Sequence, residues 1–129
     1  MSDEPNIESI LTSIKKNLNI AEEETAFDAD LVLHINSVFA ELYQLGVMAD
    51  DEPFSIEGAD ETWADFTSRV DLNMVKSYMY LEVRLMFDPP TASLLAALER
   101  KRDEYEWRLS VAGDKLTDWS KDQNGSDDD

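Results

Sequence analysis

DLNMVKSYMYLEVRLMFDPPTASLLAALERKRDEYEWRLSVA, residues 71–112, reads as two helices separated by one stop, Asp88-Pro89-Pro90. Neither proline has a backbone N–H, and each disfavours helical geometry in the residue before it. A helix over 72–87 therefore ends there, and a second occupies 91–112. At about 100° per residue, the first places Leu72, Val75, Met79, Val83 and Met86 on one face and Met74, Tyr78, Leu81 and Leu85 on the other. Plain polarity is confined to a strip near Asn73, Ser77 and Arg84. That distribution predicts a buried spine with neighbours on two sides.

The second helix is built differently. Leu94, Leu98, Tyr105 and Leu109 form one narrow stripe, and the pairs Arg100/Glu104, Arg102/Glu106 and Glu104/Arg108 stand at i,i+4. Such pairs stiffen an exposed helix by about 0.2–0.5 kcal/mol each. Trp107 falls away from the stripe, beside Ala96, Arg100 and Asp103. A large aromatic on a charged face marks either a contact surface for a partner, where Trp and Arg concentrate, or a site covered by the chain's own tail or first helix.

Outward from this pair, residues 7–18 carry Ile7, Ile10, Leu11, Ile14 and Leu18 on one face, with Glu8, Ser9, Ser13, Lys15 and Lys16 opposite. The pattern predicts a surface helix docked by one side, with Asn6 as N-cap. A further helix over 29–45, capped by Asp28 or Asp30 and stopped by Gly46, buries Leu31, Ile35, Val38, Phe39, Leu42 and Leu45. His34 lies on its flank. Gly46, Pro53 and Gly58 break the period in between, so 46–59 is irregular, with room for a short strand near 54–57, and a short helix is expected near 60–68. Phe54, Ile56, Trp63 and Phe66 require burial against the core.

The expectation is thus an all-α domain of four to five helices (about 7–18, 29–45, 60–68, 72–87 and 91–112), one unit over 1–112. Residues 113–129 form a polar, acidic tail expected to be mobile. In that tail only Leu116 and Trp119 are large and apolar, spaced to dock together on a partner.

Composition narrows the function. With 43% hydrophobic residues in 129, the chain is long enough for one sizeable core. It has no cysteine, hence no disulfide and no thiolate chemistry. No apolar run reaches membrane-spanning length, and MSDEPNIE lacks the features of a secretory signal. The formal charge is −18, distributed as −6 over residues 1–30, −7 over 31–70, −1 over 71–112 and −4 over 113–129. A basic footprint for nucleic acid is therefore missing. The seven acids of 46–70 do not meet the EF-hand spacing. His34 has no second ligand or nucleophile beside it in any motif, and no phosphate loop, Ser/His/Asp set or zinc spacing occurs. A non-enzymatic protein without cofactor or metal is expected.

The succession Trp63…Phe66, Asp71-Leu72-Asn73-Met74-Val75-Lys76, Tyr78-Met79-Tyr80-Leu81, Arg84-Leu85-Met86-Phe87-Asp88-Pro89-Pro90-Thr91 and Glu104…Glu106-Trp107-Arg108-Leu109 resembles the head-to-tail connector (adaptor) proteins of long-tailed bacteriophages. The likeness spans roughly residues 7 to 112 and is strongest at R-L-x-F-D-P-P and E-W-R-L. It implies a small, mostly helical virion protein made in the bacterial cytoplasm, with no catalytic residues to transfer. It also implies a closed ring of about a dozen copies at the head–tail junction, each subunit showing two different patches to its neighbours. The portal would be its partner on one side and the next head-completion or tail-terminator protein on the other. Genomic DNA would pass through during ejection without sequence-specific binding. Trp107, Arg100, Arg84, Leu116 and Trp119 are the expected subunit or partner contacts. The competing reading is a small acidic DNA mimic that blocks a host DNA-handling protein, suggested by the −18 charge alone.

Overall fold

A computed structural model describes residues 8–48 and 51–125, with side chains as far as Gly113. Four α-helices follow in order: α1 (Ile10–Asn17), α2 (Asp28–Gln44), α3 (Leu72–Phe87) and α4 (Ala92–Gly125). The all-α expectation holds. The fifth helix, expected over 60–68, contracts to a single 3-10 turn, Trp63–Asp65.

Each boundary has a local cause. α1 starts at Ile10 rather than 7, because the Ser9 hydroxyl accepts the Thr12 N–H at 3.2 Å. Asn6, the expected cap, lies outside the described residues. The end of α1 is a Schellman closure: Ile20 N–H reaches Lys15 O at 2.8 Å and Asn19 N–H reaches Lys16 O at 3.1 Å. Asn19 takes the left-handed position at φ 63°, a conformation that asparagine tolerates better than most residues. α2 closes in the same way. Val47 N–H bonds Leu42 O, Gly46 N–H bonds Tyr43 O, and Gly46 sits at φ 84°. Its start departs from expectation, since neither Asp28 nor Asp30 caps it and the cap position is Phe27, with no side-chain bond. Asp71 caps α3 through the Asn73 N–H at 3.1 Å, and the Asp88-Pro89-Pro90 stop ends it at Phe87.

The irregular segment contains no strand among the described residues, only two isolated bridges, Ser9 with Thr62 and Met48 with Ser68. At 54–57 a side chain does what a neighbouring strand would do. Asn36 of α2 accepts the Ile56 N–H at 2.8 Å and donates to the Ile56 carbonyl at 2.9 Å. At 60–62 the backbone is taken by the start of α1. Ile10 N–H bonds Glu61 O at 3.0 Å and Trp63 N–H bonds Glu8 O at 3.2 Å, which leaves no continuous helical ladder there. The Asp65 carboxylate accepts the Thr62 N–H at 2.9 Å and closes the 3-10 turn.

The core lies between α1, α2 and α3, with this segment folded over it. Phe39 of α2 meets Phe54 (5.0 Å between centroids), Phe66 (5.2 Å) and Trp63 (6.4 Å). Ile56, Trp63 and Phe66 are buried and Phe54 is half-buried, as their apolar character required. The expected polar face of α1 is partly internal. Ser13 is buried, accepting Trp63 Nε1–H at 3.0 Å and donating to Ile10 O at 2.8 Å. Lys15 is also buried, because the connection after α1 wraps back over it. Its ammonium donates to Glu22 O at 2.9 Å and lies 2.9 Å from Asp28 Oδ1 as a contact of charge.

Phe27, at the start of α2, packs edge-on against Phe87 at the end of α3, with centroids 5.3 Å apart. At the other end, Gly113 of α4 lies against Leu45 and Gly46. α2 and α4 therefore run in the same direction, and α3 runs against both. The change of composition after Ala112 does not end α4, whose helical backbone continues to Gly125. Gly113 serves close approach rather than termination: a Cβ there would collide with the Leu45 carbonyl oxygen.

Candidate partner surface and a buried carboxylate cluster

α4 packs on α3 by the side that carries Leu109, which is fully buried, with Leu98, Arg102 and Tyr105 half-buried beside it. Leu94, expected on the stripe, is 46% exposed because it sits at the helix start beyond the reach of the core. Trp107 projects from the other side and is 67% exposed. Packing under the first helix is thereby ruled out for it. It lines an open pocket of 280 Å³ with Leu45, Asp103, Glu106 and Ser110. Arg100 stands exposed on the same outer side, with no ion pair among the described residues.

Arg84 does not join this surface. It lies on α3, half-buried, with Nε 3.4 Å from Asp88 O. Leu116 and Trp119 fall within the helical backbone of α4, but their side chains lie outside the described residues. Of the three i,i+4 pairs expected on α4, Glu104/Arg108 forms at 2.7 Å. Arg102 turns from Glu106 toward α3 instead, pairing with Glu82 at 2.9 Å and with Asp103 at 2.7 Å. The cause is position, since Arg102 shares the inward side with Leu109. His34 packs against Phe87, ring centroids 6.4 Å apart, in the aromatic group at the start of α2.

The Arg102 contact leads to a cluster that periodicity alone passes over. Glu82 is the sole acid in the sixteen residues of α3 and is buried. The Tyr78 hydroxyl lies 2.8 Å from Glu41 Oε1 on α2 and 3.1 Å from Glu82 Oε2. Burial pushes the Glu41 carboxyl up to about 7, reinforced by its bond to Glu82 and opposed by its bond to Tyr78. Burial raises the Tyr78 hydroxyl too, followed by its bond to Glu41 and the negative charges around it. For Arg102, burial works against the charge, and hydrogen bonds to Asp103 and Glu82 more than offset it, so its pKa is raised. One sequence signal pointed here: an acid between Leu81 and Val83, one helical turn after Tyr78 on a side otherwise apolar.

The family described as "Phage connector protein" matches residues 10–115, from the first residue of α1 to just beyond the Gly113 contact. The chain belongs to that family. Comparison with curated proteins and with solved structures gave no match. The connector is accordingly a structural bacteriophage protein of the virion, whose family associates with portal or tail proteins. Among the described residues, no helix of the connector is long and apolar enough to cross a membrane.

Proposed function

We propose that the connector forms a closed ring at the head–tail junction, with the portal on one side and the next head-completion or tail-terminator protein on the other. The observation that carries this reading is the family match across residues 10–115. Two physical features support it. A head-to-tail ring requires each subunit to offer patches outside its own core, and exposed Trp107 with Arg100 on α4 is suited to be one of them. The charge of −18 suits the wall of a DNA channel, since negative groups repel phosphate and leave the duplex free to slide, whereas a basic wall would hold it. Arg84, Leu116 and Trp119 are proposed as further contacts, the last two toward the portal.

Mass measurement of the connector mixed with its portal tests the proposal. A complex carrying many connector copies per portal is expected. A connector that stays monomeric or dimeric with the portal present, and instead captures a DNA-handling enzyme, would favour the DNA mimic.

A further inference from the structure

Hydrogen counting singles out the Glu41–Tyr78–Glu82 contacts. A hydroxyl carries one hydrogen, yet the Tyr78 oxygen stands within hydrogen-bond distance of two carboxylates, at 2.8 Å and 3.1 Å. With both glutamates ionised, one of these contacts would set two oxygens together with no hydrogen between them. One added proton satisfies both: Tyr78 donates to one carboxylate and accepts from the other. Glu82 is the charged partner of Arg102, at 2.9 Å, so the proton belongs on the Glu41 side. The groups facing this centre are Glu41 from α2, Tyr78 and Glu82 from α3, and Arg102, Asp103 and Glu106 from α4. The single cation is engaged by Glu82 and Asp103.

We propose that Glu41 and Glu82 share one proton through Tyr78, and that this proton governs how firmly α3, with α4 clasped to it by Arg102, is held against α2. The shared proton acts within one subunit, whether or not a ring forms. Its sign follows from the direction of the Glu41 shift, from 4.5 up to about 7 in the fold. A carboxyl raised on folding binds its proton more tightly in the native chain than in the unfolded one. Its contribution to stability is complete below the unfolded value and is lost as pH rises from there through about 7.

Denaturant unfolding of the full chain from about pH 5 to about pH 8.5, beside Glu41→Gln, tests this. The glutamine amide keeps a donor where the protonated carboxyl had one, and it cannot ionise. The unfolding constant of the unaltered chain is expected to grow by roughly tenfold or more relative to that of the variant across this range. Amides of residues 102–113 should gain exchange, after correction for intrinsic rates, only where Glu41 can ionise. Parallel pH profiles, or exchange in α4 that ignores the substitution, would overturn the proposal. Should Glu41→Gln not fold, carboxyl-carbon NMR of the unaltered chain decides. A glutamate titrating near 7 whose titration moves in Tyr78→Phe supports the shared proton. All glutamates titrating in the ordinary range would refute it.

Discussion

Gly113 is a glycine for reasons of space. The α2–α4 contact brings its Cα against the Leu45 carbonyl and the Gly46 backbone, and a methyl group there meets main chain that no rotamer change can move aside. Two effects compete in Gly113→Ala. Helix propensity favours alanine by about 1 kcal/mol, while overpacking a close contact costs roughly 1–3 kcal/mol. Because the obstacle is backbone, the second wins, and a lower denaturant midpoint is expected. An unchanged or higher midpoint would mean that the helices part without cost. Trp107 is the opposite case, a large side chain that the fold does not use. Trp107→Ala should leave circular dichroism intact and stability within about 0.5 kcal/mol, as for an ordinary surface site. The same change should weaken assembly with the portal. Loss of the fold would place the indole in the core and send the search for the subunit contact elsewhere.

At the scale of elements, what was legible followed from period and punctuation. The Asp88-Pro89-Pro90 stop and the Gly46 turn stand where the rules for proline and left-handed glycine put them, and α2 buries most of the apolar residues its spacing assigned, whereas α3 buries Val75, Tyr78, Met79 and Val83 and leaves Met86 exposed. What was not legible depended on long-range partners. Ser13 and Lys15 are on the polar side of α1 by period, but Trp63, fifty residues on, needs an acceptor for its indole N–H, and the connection after α1 surrounds the Lys15 ammonium. The stretch 54–57, between Pro53 and Gly58, had room for a short strand, yet the Ile56 backbone bonds the side chain of Asn36 and the Phe54 and Glu57 N–H groups go to Met48 and Glu61 side chains. In the same way, Arg102 had a good partner on its own helix in Glu106 and took Glu82 across the interface. The position of Trp107 off the apolar stripe was legible from the wheel, which left open whether a partner or the chain's own tail or first helix covers it.

Over the whole molecule, the acidity lies mainly outside the helical pair 71–112, which is nearly neutral at −1. Neutrality there lets α3 and α4 pack closely, with the one acid buried among their described residues, Glu82, answered by Arg102. The remaining acids are left for surfaces, and on a ring that encloses DNA they would keep the channel wall from holding phosphate. The most direct test is electron microscopy of tailed particles from a phage that encodes this chain. The account predicts a closed ring of connector subunits directly beneath the portal, α4 carrying Trp107 into a subunit or partner contact and its far end, beyond Gly113, turned toward the portal. Particles whose portal meets the tail with no density for this chain would contradict it.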